Sequence, residues 1–111
     1  MIEKTVLDYL SASLSLPVKM EVPENPPEEF LVVEKTGSDV SNHIKRATIA
    51  VQSYAGSLYR AACINEDVKA ATENLVALPE ISKASLNSDY NFPDTQTKKY
   101  RYQAVFDIYH F

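Results

Sequence analysis

The stretch HIKRATIAVQSY (His43–Tyr54), followed by AGS (Ala55–Ser57) and LYRAACINEDVKAATENLVAL (Leu58–Leu78), decides the fold. In its first part Ala47, Ile49 and Val51 alternate with Arg46, Thr48 and Gln52. A period of two puts those sets on opposite sides of a strand. In its last part Leu58, Ala61, Ile64, Val68, Ala71, Leu75 and Leu78 share one stripe, with Glu66, Lys69 and Glu73 outside it. That spacing is an amphipathic helix. The period changes at Gly56-Ser57, where the Ser57 hydroxyl suits an N-cap. Pro79 stops the helix. A long strand that hands over to an amphipathic helix predicts a helix packed on the strand's apolar side.

Upstream, Phe30-Leu31-Val32-Val33-Glu34-Lys35-Thr36 reads as another strand, rich in β-branched and aromatic residues. Its unbroken apolar start predicts burial on both faces. Gly37-Ser38-Asp39 reads as a break, and Gly37 to Asn42 as the hairpin loop between the two strands. Pro23-Glu24-Asn25-Pro26-Pro27-Glu28-Glu29 is a surface loop, because three prolines and three glutamates suit neither a helix nor a central strand. Val18 to Val22 reads as a short strand. Ile2, Val6, Tyr9, Leu10 and Leu14 form one helical face that Pro17 ends.

Downstream, Ala84, Leu86 and Tyr90 alternate with polar residues, and Phe92-Pro93-Asp94-Thr95 makes a turn. Tyr100, Tyr102, Ala104, Phe106 and Ile108 then alternate with Arg101, Gln103 and Asp107. The order helix, short strand, strand, strand, helix, strand, strand predicts a single α+β domain over residues 1–111. Its sheet should be antiparallel or mixed, of about four to five strands, with two helices on one face.

Composition narrows the function classes. The 111 residues carry a net charge of -4, which argues against a general binder of phosphate backbones. The single cysteine, Cys63, cannot form an internal disulfide. Glu3, Lys4 and Asp8 interrupt the apolar pattern of Met1 to Leu16, so it does not read as a signal peptide. The chain holds only Gly37 and Gly56 as glycines, too few for a Walker or dinucleotide loop. Neither Cys-x-x-Cys nor His-x-x-x-His occurs, and Asp39 and Asp89 stand alone, so no metal spacing is present. His43, His110 and Cys63 have no spacing that suggests a nucleophile and its base; Cys63 reads as a packed thiol beside the helix stripe. Lys98, Lys99 and Arg101 interleave with Tyr100 and Tyr102. Alternation sends the tyrosines to the core face and leaves the basic residues as strand solubilisers rather than a nucleic-acid patch.

The remaining features suit protein contact. Seven tyrosines join apolar area to a polar tip. Tyr109 and Phe111 face opposite Phe106 and Ile108, so the second sheet face should carry apolar groups at its end and invite a neighbour; a frayed terminus is the alternative.

The order of elements resembles that of the tail-terminator and head–tail joining proteins of long-tailed bacteriophages and prophages, also described as tail-completion or minor capsid proteins. The likeness is carried by Leu16 to Pro23 after the first helix, by Pro26 to Gly37, by Ala47 to Tyr54 leading through Ala55-Gly56-Ser57 into an Ala-rich helix, and by the final strand Tyr100 to Tyr109. The Val51-Gln52-Ser53-Tyr54 pattern before the helix is its most specific part. The resemblance implies a non-enzymatic virion protein, with no catalytic, cofactor or metal residues. It would form a ring, commonly a hexamer, that caps the tail tube and joins it to the head. Its partners would be its own copies, the major tail protein and head connector proteins, with neither a membrane nor a specific nucleic-acid sequence. It would reside in the host cytoplasm during assembly and then at the tail–head junction. A protruding loop near Gly37 to Lys45 would contribute to the ring. The expected interface residues are therefore Gly37, Asp39, Val40, His43, Lys45, Tyr109 and Phe111. Another neck or head-completion adaptor fits the same pattern. A different class, a small-molecule-binding domain, would draw first on His43, Tyr54 and Arg60.

Overall fold

Burial of the expected helical stripe builds the first element. Ile2, Val6 and Leu10 are buried along α1 (Ile2–Ser13). After Pro17 the chain extends, but only Val18–Lys19 pairs with the sheet, as β1. The short strand expected over Val18–Val22 thus loses its second half: Met20 and Val22 are exposed and lead into the proline-rich segment. These contacts come from a computed structural model that describes residues 1–111.

The two long central strands are β2 (Phe30–Ser41) and β3 (Ile44–Ala55), joined by a turn of two residues. Gly37 does not break β2. It follows a bulge between Lys35 and Gly37, after which pairing continues from Gly37↔Thr48 to Ser41↔Ile44. The extra residue, Thr36, is absorbed without ending the ladder. The expected loop from Gly37 to Asn42 is therefore mostly strand. The turn is Asn42-His43, with φ of 50° and 66°. Two consecutive positive φ values match the twist of the flanking strands, and Asn and His tolerate that region better than most side chains.

β3 then passes into α2 (Leu58–Glu73) through Gly56-Ser57, and Ser57 Oγ accepts the Arg60 backbone N–H as its cap. The helix tightens into a 3₁₀ turn, Asn74–Ala77, which carries Leu75 into the core. β4 (Ile81–Asn91) and β5 (Tyr100–His110) complete a five-stranded sheet in the order β1-β2-β3-β5-β4. Only β1 and β2 run parallel; the other pairs are antiparallel. The fold is α+β, with a mixed sheet and two helices.

One core holds it together. Leu31, Val33, Ala47, Ile49, Val51, Ala104, Phe106 and Ile108 of the sheet pack with α1 and with Ala61, Ile64 and Val68 of α2. Both helices share this one face. Cys63 is only half-buried, beside rather than within the packed stripe. Phe30 to Val33 are all buried, so β2 does start between two covered faces. No helix is long and apolar enough to cross a membrane.

Candidate interaction surface

The sheet face away from the helices carries the second set of each alternating strand. Gln52 and Tyr54 of the Val51-Gln52-Ser53-Tyr54 run point here, while Val51 and Ser53 point to the helices. Gln52 Nε2 donates to Gln103 Oε1 at 2.8 Å and to Glu34 Oε2 at 3.4 Å. Gln103 Nε2 in turn donates to Tyr90 Oη. One row of polar groups thus links β2, β3, β5 and β4. Both glutamines are buried, so each needs these partners to offset its lost hydration.

At the end of the face where β3 leaves for α2, the row meets an aromatic cluster. Tyr54 stacks on Phe30 with ring centroids 4.4 Å apart and planes within 7°. Arg101 organises the other side. Its Nη1 donates to Tyr54 Oη at 3.0 Å, its Nε donates to the Phe92 carbonyl at 2.7 Å, and its guanidinium lies 4.2 Å over the Phe92 ring. Arg101 is therefore no mere solubiliser of β5, as alternation suggests; it ties the β4–β5 turn to the sheet. Within that turn Asp94 accepts the backbone N–H groups of Gln96 and Thr97. The side-chain bond with Thr97, with those backbone bonds, holds the Asp94 carboxyl below its ordinary range.

Met20–Val22 on one side and Phe92–Gln96 on the other flank a groove of about 730 Å³, floored by Val32, Glu34, Gln52 and Tyr54. Nearby, the proline-rich loop is held to α2. Arg60 Nε and Nη2 bond both Glu29 oxygens, at 2.8 and 3.0 Å, and a Cβ on Gly56 would meet Glu28 Oε1 at 2.1 Å. The Arg60 bond holds the Glu29 carboxyl below its usual range.

The opposite end of the molecule gathers the residues expected at an interface. Gly37, Asp39, Val40, His43 and Lys45 lie on the distal half of the β2–β3 hairpin. Register places Lys45 opposite His110 and Arg46 opposite Tyr109, which brings Tyr109 and Phe111 alongside. Arg46 Nη2 bonds Asp39 Oδ2 at 2.6 Å; that charge, with Tyr109, holds the guanidinium more firmly protonated. Tyr109 also receives the Lys83 ammonium, 5.7 Å from its ring centre. The Phe111 N–H bonds the Glu80 carbonyl at 3.1 Å, which ties the last residue to the start of β4, while its side chain stays exposed. Burial lowers the His110 pKa, and Lys45, Lys35 and the N-terminal amine lower it further by repulsion.

The small-molecule trio does not converge. His43 sits in the turn before β3 and Tyr54 near its far end, roughly 36 Å along a strand that rises about 3.3 Å per residue. Arg60 is committed to Glu29. No group of three or more His, Cys, Asp or Glu side chains is placed to hold a metal ion. The groove and its Arg101 clamp have no signature in the sequence; Phe92-Pro93-Asp94 reads as a turn, but nothing local marks it as joined to Tyr54 through Arg101. No family model matches the chain, and no curated protein matches it.

Proposed function

We propose that this chain is a structural assembly subunit of a long-tailed phage or prophage: a non-enzymatic tail-terminator or head–tail joining protein whose copies form a ring at the tail–head junction. The observation that carries the self-assembly part is the asymmetry of the sheet. One face is covered by both helices, while the other bears a groove at one end and an exposed hairpin at the other. The hairpin exposes Val40 (68%) and Ile44 (38%), apolar area that a neighbour would cover. A ring repeats one modest contact around its axis and closes it. The phage assignment rests on the resemblance of the sequence described above; an α+β fold by itself does not assign a role. Its partners would be its own copies, the major tail protein and the head connector, with assembly in the host cytoplasm.

Incubating the protein with purified tail tubes, and separately with head connectors, tests this reading by electron microscopy. Rings seated on tube ends support the terminator role. Binding only to connectors moves the chain to the head-completion adaptors, and binding to neither overturns the neck assignment.

A further inference from the structure

The outer strand β4 carries bulges between Ile81 and Lys83 and between Leu86 and Ser88, and β2, which β1 covers only at Leu31 and Val32, carries one between Lys35 and Gly37. Bulges twist an edge and spoil its continuation into another sheet. Those bulges disfavour edge-to-edge pairing, and two other surfaces complement each other.

We propose that the groove on the open face receives the β2–β3 hairpin tip of a neighbouring copy, an inference that rests on the self-assembly reading. The groove rim exposes Met20 (44%), Val22 (40%) and Phe92 (39%), an apolar lining for Val40 and Ile44 of the tip. Its charged groups are Glu21, Glu34 and Asp94 against the single cation Arg101, whose Nη1 and Nε donate to Tyr54 and to the Phe92 carbonyl, so the lining is acidic in balance. At the tip Asp39 is neutralised by Arg46, which leaves Lys45 as the uncompensated charge. Tip against groove joins opposite charges; tip against tip or groove against groove sets like charges together, which steers the choice. A groove of about 730 Å³ falls within the roughly 300–1,000 Å³ that encloses a drug-sized molecule, comparable to a two-residue turn and its flanking side chains. Tip and groove lie at opposite ends of the same hairpin. A contact between them is then head-to-tail and propagates until it closes.

The test uses the full chain in a Cys63→Ser background, with Val40→Cys or Val22→Cys introduced singly and together. Under mild oxidation, mixing the two single variants yields a crosslinked heterodimer in preference to either homodimer. The double variant yields a covalent ladder that stops at one ring size. In parallel, Lys45→Glu weakens association about tenfold or more, and Glu21→Lys in the same chain restores it; that rescue excludes misfolding as the cause. Homodimers alone, or an assembled protein that neither crosslinks nor responds to charge reversal, overturn the plug-and-groove contact while leaving the ring reading intact. A double variant that stops at a dimer keeps the contact and overturns the ring. A chain that stays monomeric even with tail tubes added overturns both.

Discussion

Replacing Tyr54 with Phe removes one hydroxyl and leaves the stack on Phe30 in place. Tyr54 is buried (1% exposed), and its Oη accepts from Arg101 Nη1 at 3.0 Å. A hydrogen bond to a charged group contributes about 1.5–3 kcal/mol. Arg101 is half-buried and can turn its freed donor to water, so the loss belongs below that range, at about 1 kcal/mol. Tyr54→Ala, which also forfeits the ring, costs about 3–5 kcal/mol. The pair is best separated by a double-mutant cycle of Tyr54→Phe with Arg101→Met, followed by urea unfolding at constant m-value. The expected coupling is about 1 kcal/mol. Coupling within about 0.3 kcal/mol of zero, the ordinary scatter of independent sites, would mean that Arg101 does not clamp Tyr54, and the groove would lose its organising contact.

Other outcomes follow from the same contacts. Ile49→Ala, at a fully buried position in a central strand, costs about 2–5 kcal/mol by chemical denaturation, against about 5–15 kcal/mol for a whole domain. His43→Gly relieves a positive φ in the tight turn and stabilises the fold by about 0.5–1 kcal/mol, read as a rise in the urea midpoint; a fall contradicts the turn geometry. His110 has a folded pKa below its ordinary 6.5, so the unfolded chain binds the proton first. Stability therefore falls as pH drops below 6.5, levels once the folded pKa is passed, and this wave is missing in His110→Gln. Glu29, held below its ordinary 4.5 by Arg60, adds a second loss at lower pH as its folded form is protonated; Arg60→Gln removes it in an acid titration followed by circular dichroism.

Much of the fold was legible because the period of apolar residues reports burial directly. Ala47-Ile49-Val51 and most of the stripe from Leu58 to Leu78 face one core, as their spacing implies, while Leu58 in the first turn of α2 stays exposed. The hairpin departs from its sequence signal for a physical reason. Gly37-Ser38-Asp39 has turn composition, yet a bulge lets an exposed edge strand carry those residues and keep its pairing. The true turn, Asn42-His43, lacks the glycine that usually signals positive φ. The residues expected at an interface lie near one another because strand register sets Arg46 against Tyr109, a pairing no local pattern reveals. The groove stayed hidden for a similar reason. Gln52, Gln103 and Arg101 look like solvated strand residues until their partners on four strands are known.

Sedimentation velocity over a wide range of concentration and salt reads out whether copies of this chain assemble. The expected result is a closed species at one fixed multiple of the 12.4 kDa chain, a hexamer by the phage resemblance, either in isolation or when tail tubes are added. A monomer at every concentration, unchanged by tail tubes, would contradict it.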